Sequence, residues 1–379
     1  MARFLSLLVL IFFFQREVSF SQDSLLTGRK IIPLPELSFN SDFGVKFAAG
    51  ALIYDYDDGS VIPFNNHSRY RISYSTIGAF SILASNDDVN AFKSENRMNY
   101  YANVSRNMSD YFFGDTDQQE YDKARYDTSN YYNYEMIRVD VGGVLRKAFH
   151  TTKKNSLEYK VGVSLIYEKP MNLSESKFIT TENIDGNDGA FLSLFEIGIL
   201  LDKRNSEFRP QHGYYFDTGI KYAPLFLSTH QGLHNSMKAY GFIPLINSFM
   251  EITLATRISL QNSIGSKPYW MTPMLGGTGT MRGFIFRRFS SDNALSYSAE
   301  LRAWFFKIPN IKVELGGQFF VDGGRVFANK NWGFIFTNHK FALGFGGVMS
   351  IFTPDFIINA ELGFSDEGAG IYLGTGYSF

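Results

Sequence analysis

Residues 294–306 read ALSYSAELRAWFF and residues 311–322 read IKVELGGQFFVD. In the first run, Leu295, Tyr297, Ala299, Leu301, Ala303 and Phe305 fall on one side, and Ser296, Ser298, Glu300, Arg302 and Trp304 on the other. In the second, Ile311, Val313, Leu315, Phe319 and Val321 oppose Lys312, Glu314, Gln318 and Asp322. A period of two marks strands with one apolar and one wet face. Glu300 and Asp322 thus share the wet side of neighbouring strands. Ahead of them lies a Gly-rich polar loop, from Gly265 to about Asn293, that carries Met281-Arg282-Gly283-Phe284. An arginine on a loop folded back over those strands would meet both acids.

Outward from this stretch the same alternation recurs. Phe43, Val45, Phe47, Ala49, Ala51 and Ile53 face one way from Gly44, Lys46, Ala48, Gly50, Leu52 and Tyr54. Further strands are expected over 68–75, 79–92, 96–112, 130–148, 156–169, 188–202, 214–223, 233–244, 249–261, 340–351, 355–364 and 370–379. With the runs at 43–54, 294–306 and 311–323 that makes fifteen. Closed single-chain membrane barrels have an even number, so a sixteenth is expected, placed here in the aromatic-rich stretch 110–135. The outward faces are nearly free of charge, and one at mid-depth would cost about 2–4 kcal/mol in lipid. A sheet in lipid must close on itself to pair its backbone. The fold class is therefore all-β, a transmembrane antiparallel barrel of sixteen strands. Long polar connections (113–129, 170–187, 265–293, 327–338) set against short ones (354–355, 363–370) fit that pattern.

Composition agrees. Of 379 residues, 38 are Phe, 22 Tyr and 34 Gly, but only 11 Pro, which favours strands and tight turns. Mean hydropathy is near neutral, −0.12, as one-sided strands require. A formal charge of −1 gives no pull toward nucleic acid. The absence of cysteine excludes disulfides, thiol catalysis and a lipid-modified N-terminal Cys. Residues 1–21 read as a cleaved secretory signal: Arg3, an apolar core Leu5 to Phe14, and small Ser19 and Ser21 before a cut near Gln22. Residues 22–36, ending in Pro33-Leu34-Pro35, read as a short periplasmic leader, and 37–379 as the barrel.

These residues resemble a family. Met281-Arg282-Gly283-Phe284 is similar to the Val-Arg-Gly-Phe/Tyr motif on the inward loop of the BamA/TamA-like outer-membrane assembly and translocation barrels, the bacterial surface antigen family. Ser298 to Arg302 is similar to its glutamate-bearing strand. Phe320-Val321-Asp322-Gly323-Gly324 matches its Phe-x-Asp-x-Gly strand. Asp202, Arg204, Pro210 and Gly213 resemble its upstream turn, and Gly374 to Phe379 its closing strand and assembly signal. The resemblance covers Asp202 to Phe379. It implies that the long loop folds into the lumen and sets Arg282 against Glu300 and Asp322, and that a weak seam joins the first strand (Phe43, Gly44 and onward to Tyr54) to the last (Ile371 to Gly374 and Phe379). Such a seam would template incoming strands. A triad that only anchors the loop stays equally open, and seam glycines that only curve the barrel stay open too.

The family usually carries periplasmic POTRA domains, for which the stretch before Pro35 leaves no room. The expected function is assistance in assembly, insertion or translocation of outer-membrane or surface proteins, with a periplasmic or outer-membrane partner, in the lipid bilayer of a Gram-negative outer membrane. The alternative is a structural or channel-forming barrel. No enzyme is expected. Glu300 and Asp322 beside an arginine stay ionised, the wrong state for a general acid, and no Gly-x-Ser-x-Gly occurs. No cofactor or metal is expected either, since His230 and His234 lie four apart without helical geometry.

Overall fold

The computed structural model describes residues 27–379 except 61–63, 95, 116–120, 150–156, 175, 249, 309–312 and 352–355. Eleven strands come first: β1 (Arg29–Asn40), β2 (Gly44–Asp55), β3 (Asn66–Ser75), β4 (Phe80–Ala91), β5 (Asn96–Tyr111), β6 (Asn133–Ala148), β7 (Leu157–Met171), β8 (Ala190–Asp202), β9 (Gly213–Ala223), β10 (Gly232–Asn247) and β11 (Glu251–Gly265). A lumen loop follows, holding the hairpin β12 (Met274–Leu275) and β13 (Phe289–Ser290). The wall resumes with β14 (Asn293–Ile308), β15 (Val313–Phe327), β16 (Lys340–Ile351), β17 (Ile357–Ser365) and β18 (Ala369–Thr375). All but β12 and β13 close into one antiparallel, sixteen-stranded transmembrane barrel, each strand beside its neighbour in the chain.

Alternation sorts the side chains. Phe319, Val321, Leu343, Phe345 and Ile371 are exposed outward, where lipid meets them. Ser298, Glu300, Arg302, Gln318 and Asp322 are buried inside. The connections 112–132, 172–189, 266–292 and 328–339 share one end of the barrel, and the start of β1 lies at the other. The short 366–368 turn shares the long-loop end, a departure from the expectation that short and long connections segregate. An aromatic and aliphatic cluster of Phe112, Tyr134, Ile179, Leu192, Tyr269 and Trp270 joins β6 and β8 to three of the long connections.

Two expectations are corrected. The sixteenth strand is β1, not a segment of 110–135, so the barrel begins at Arg29 and residues 29–36 are wall, not leader. Pro33 and Pro35 disguised it, since proline cannot donate to a ladder. Their positions explain the tolerance. Val45 accepts from the Thr76 N–H and donates its own N–H to the Thr76 hydroxyl, both on the β3 side, so its partner Phe39 points its N–H away from β2. By the same parity Pro33 and Pro35 face β1's other edge, where β2 makes no demand. Stretch 110–135 instead holds a helix, Lys123–Ser129, capped by the Asp122 side chain, which accepts from the Arg125 N–H at 3.1 Å. The expected signal segment lies outside the described residues.

The seam also moves. Its first strand is β1, and Phe43 and Gly44 lie at the β1–β2 turn. β1 pairs with β2 from Arg29–Asp55 to Asn40–Gly44, but with β18 only at Phe39–Leu373 and Asn40–Tyr372. Ser41 adds backbone and hydroxyl bonds to Ile371. The seam is thus closed at the long-loop end and unpaired below it. β18 stops at Thr375, and Gly376 (φ +79°) turns the last residues inward, so Phe379 is not part of a closing strand.

Candidate functional site: the lumen loop and its arginine

The loop is tied down from several sides. Gly276 and Gly277 (φ +120° and +81°) start a tight turn that bridges Gly277 to Met281. On β11, Arg257 donates to the carbonyls of Gly279 and Thr280 at 2.9 and 3.0 Å. Met281 is fully buried against Leu275, Phe284, Phe289 and Val326. A Cβ on Gly324 would stand 2.9 Å from the Met281 sulfur, so glycine there leaves the room Met281 fills. Gly283 (φ +94°) lies so close to β17 that a Cβ would be 2.8 Å from the Phe364 nitrogen. Its N–H donates to the Tyr372 hydroxyl on β18 at 2.9 Å, and its carbonyl accepts from Ser365 Oγ at 2.9 Å.

This framework fixes Arg282. Its Nε and Nη2 donate to Asp322 at 2.8 and 2.9 Å, and its backbone N–H adds a third bond at 3.0 Å. Nη2 lies 2.7 Å from Glu300, and Nη1 lies 2.9 Å from Glu361 and 3.2 Å from Ser378 Oγ. The guanidinium carbon stands 3.4 Å over the centre of the Phe320 ring. Phe320 and Asp322 thus supply the ring and the carboxylate, and Gly324 the space for the residue beside the arginine.

Arg282 is 1% exposed, with Glu300 and Asp322 at 0%. Burial by itself would lower the guanidinium pKa. The hydrogen bonds to Asp322 and the fields of Glu300, Asp322 and Glu361 outweigh it and hold the value above the ordinary one. A planar fork can serve several carboxylates at fixed angles, which an ammonium cannot. Arg302 pairs with the other Glu300 oxygen at 2.7 Å and donates to the Phe379 carbonyl at 2.9 Å. Three cations, Arg257, Arg282 and Arg302, therefore surround three acids.

The structure brings Arg282, Glu300 and Asp322 together, and it adds Glu361, Ser298, Ser378 and Tyr372. Glu361 was legible as a charge on the inward phase of Ile357, Asn359 and Glu361. Tyr372 carried no such signal, because only the loop's close approach gives its hydroxyl a partner. The inturned end extends the cluster: Tyr377 accepts from Trp304 Nε1 at 2.9 Å, and Phe379 packs near Tyr240, Arg257 and Arg302.

The upstream turn is a separate unit. Arg204 binds Asp202 through Nε and Nη2 at 2.9 and 2.6 Å and stacks on Tyr215. Gly213 (φ +106°) comes so close that a Cβ would stand 2.9 Å from the Lys203 carbonyl carbon. Pro210 is buried in the same turn. Beside it Arg209 joins Glu251 and Glu314, both at 2.6 Å. The histidines stay apart: His230 meets Asp185, and His234 meets Ser263.

A closed barrel with a loop arginine buried among wall carboxylates defines a class of outer-membrane barrels with a plugged lumen. Residues 64–379 match the Omp85 superfamily domain, and the chain belongs to that family. No curated protein matches it in sequence. Among solved structures it is similar to BamA from Haemophilus ducreyi lacking POTRA domains 1–3 (15% identity, TM-score 0.60, 93% of this chain and 71% of that one). It is also similar to CdiB from Escherichia coli (11%, 0.63, 90% and 62%) and from Acinetobacter baumannii (13%, 0.58, 93% and 60%). The chain thus spans about three fifths of the CdiB chains. At such identities the likeness is one of fold. Among the described residues none forms a POTRA domain.

Proposed function

We propose that this protein sits in the outer membrane of a Gram-negative bacterium, exported through a cleaved signal peptide, and assists the assembly or translocation of outer-membrane or surface proteins. In this role it works with a partner protein that delivers the client. The observation that carries the reading is the seam, paired at Phe39–Leu373 and Asn40–Tyr372 and open below. Unpaired strand edges are templates for another strand. The lumen loop spans that seam. Phe286 N–H bonds Asp42 at 3.1 Å on the β1–β2 turn, while Arg288 bonds Glu367 at 2.7 Å on the β17–β18 turn. In this role the Arg282 cluster holds the clasp that keeps the long-loop end shut while the lower seam receives a chain.

A structural barrel without insertase activity is the second reading, favoured by Pro33 and Pro35, which remove two donors from the β1 edge. Depletion followed by quantitation of outer-membrane and surface proteins separates the two. Assistance predicts selective loss of some of them; unchanged levels of all would refute it.

A further inference from the structure

The unpaired seam has two unlike sides. On the membrane side Leu37, Phe39, Phe47, Phe345, Ile371 and Leu373 line an apolar cleft of about 700 Å³. On the lumen side the wall beside it is basic. Ser38, which lines the cleft, is the register partner of Lys46. Arg71 and Arg69 continue the inward face of β3, opposite Gly50 and Leu52. Glu36 answers both arginines, at 3.3 Å from Arg71 and 3.7 Å from Arg69. Lys46 has no carboxylate partner among the described residues, and the Nε atoms of Arg69 and Arg71 are buried without an acceptor. Nearby acids are already committed: Asp87 is bound by Arg97, and Glu361 by Arg282 and Gln318. Three cations therefore share one acid, Glu36. With Pro33 and Pro35 removing donors from this edge, a β-strand is a poor permanent filling for the gap.

We infer that the seam binds an anionic phospholipid, its acyl chains in the apolar cleft and its phosphate at Lys46, Arg71 and Arg69. Charge complementarity selects the headgroup, since a zwitterionic lipid offers the same chains but no net charge. The site stands whether or not a client strand ever enters the seam.

The test uses the full-length barrel in phosphatidylcholine vesicles containing one tenth phosphatidylglycerol, with brominated chains on one lipid or the other. Bromine quenches tryptophan on contact. Leu37→Trp reports the cleft, and Ile197→Trp on β8, exposed to lipid far from the seam, reports the bulk. Heat-shifted mobility on a gel verifies folding of each variant. Brominated phosphatidylglycerol should quench Leu37→Trp about fivefold beyond its share of the lipid, and Ile197→Trp only in proportion. Adding Lys46→Gln with Arg71→Gln should erase the excess. Equal quenching at both positions, or an excess that survives the double substitution, would overturn the assignment.

Discussion

Replacing Arg282 by alanine is the sharpest perturbation of the lumen. The change leaves Asp322 and Glu361 without their ion-pair partner, while Glu300 keeps Arg302 at 2.7 Å. It also strips the Phe320 ring of the charge above it. Removing one partner of a buried ion pair costs about 3–5 kcal/mol. Scaled by a typical unfolding entropy per residue over 379 residues, that is a fall of about 4–6 °C in unfolding midpoint. The midpoint can be read as the temperature at which the compact band on an unboiled gel gives way to the unfolded one. Arg282→Lys keeps one or two charge-assisted bonds, each worth about 1.5–3 kcal/mol, and should recover only part of the loss. In a double-mutant cycle, Arg282→Ala with Asp322→Ala should cost less than the sum of the single changes by at least about 1 kcal/mol. Equal midpoints for wild type and Arg282→Ala, or strict additivity, would refute the reasoning.

Other substitutions test neighbouring parts of the account. Glu361→Gln removes one charged acceptor and should cost less than Asp322→Asn, which removes the charge and turns one of the two oxygens that accept three Arg282 bonds into a donor; the same gel midpoints rank them. Gly324→Val should displace Met281 and Gly283→Ala should push the loop off β17, each lowering the midpoint, and protease susceptibility of the loop checks where the damage lies. Asp42 in the β1–β2 turn has its carboxyl pushed up to about 6 by burial, only partly offset by the Phe286 N–H. A raised carboxyl pKa means that the folded chain holds the proton more tightly. The destabilisation is thus absent below about pH 4, grows through the window up to about 6, and is complete above it. Asp42→Asn should therefore raise the midpoint at pH 8 and leave it unchanged at pH 4.

Period-two alternation made most of the wall legible, because in a membrane barrel each inward or outward choice carries a large solvation cost. Glu300, Asp322 and Phe320 share a phase that can be read directly from residues 294–322. β1 escaped because proline ordinarily breaks strands, and only an edge with no ladder on one side tolerates two of them. The inturned end escaped for a related reason. Tyr377 and Phe379 alternate like strand residues, yet Gly376 takes a positive φ and sends them to Trp304 and Arg302. Contacts made by a loop across the lumen, such as Gly283 to Tyr372 or Phe286 to Asp42, leave no periodic trace.

Cysteine pairs placed across β1 and β18 examine the open seam most directly, against a background with no native cysteine. Phe39→Cys with Leu373→Cys occupies a register pair. Leu37→Cys with Thr375→Cys would be the next pair of the same kind if the strands zipped further. In native membranes a mild oxidant should join the first pair rapidly and the second at least tenfold more slowly. Equal rates for the two would mean a fully paired wall and would contradict the account.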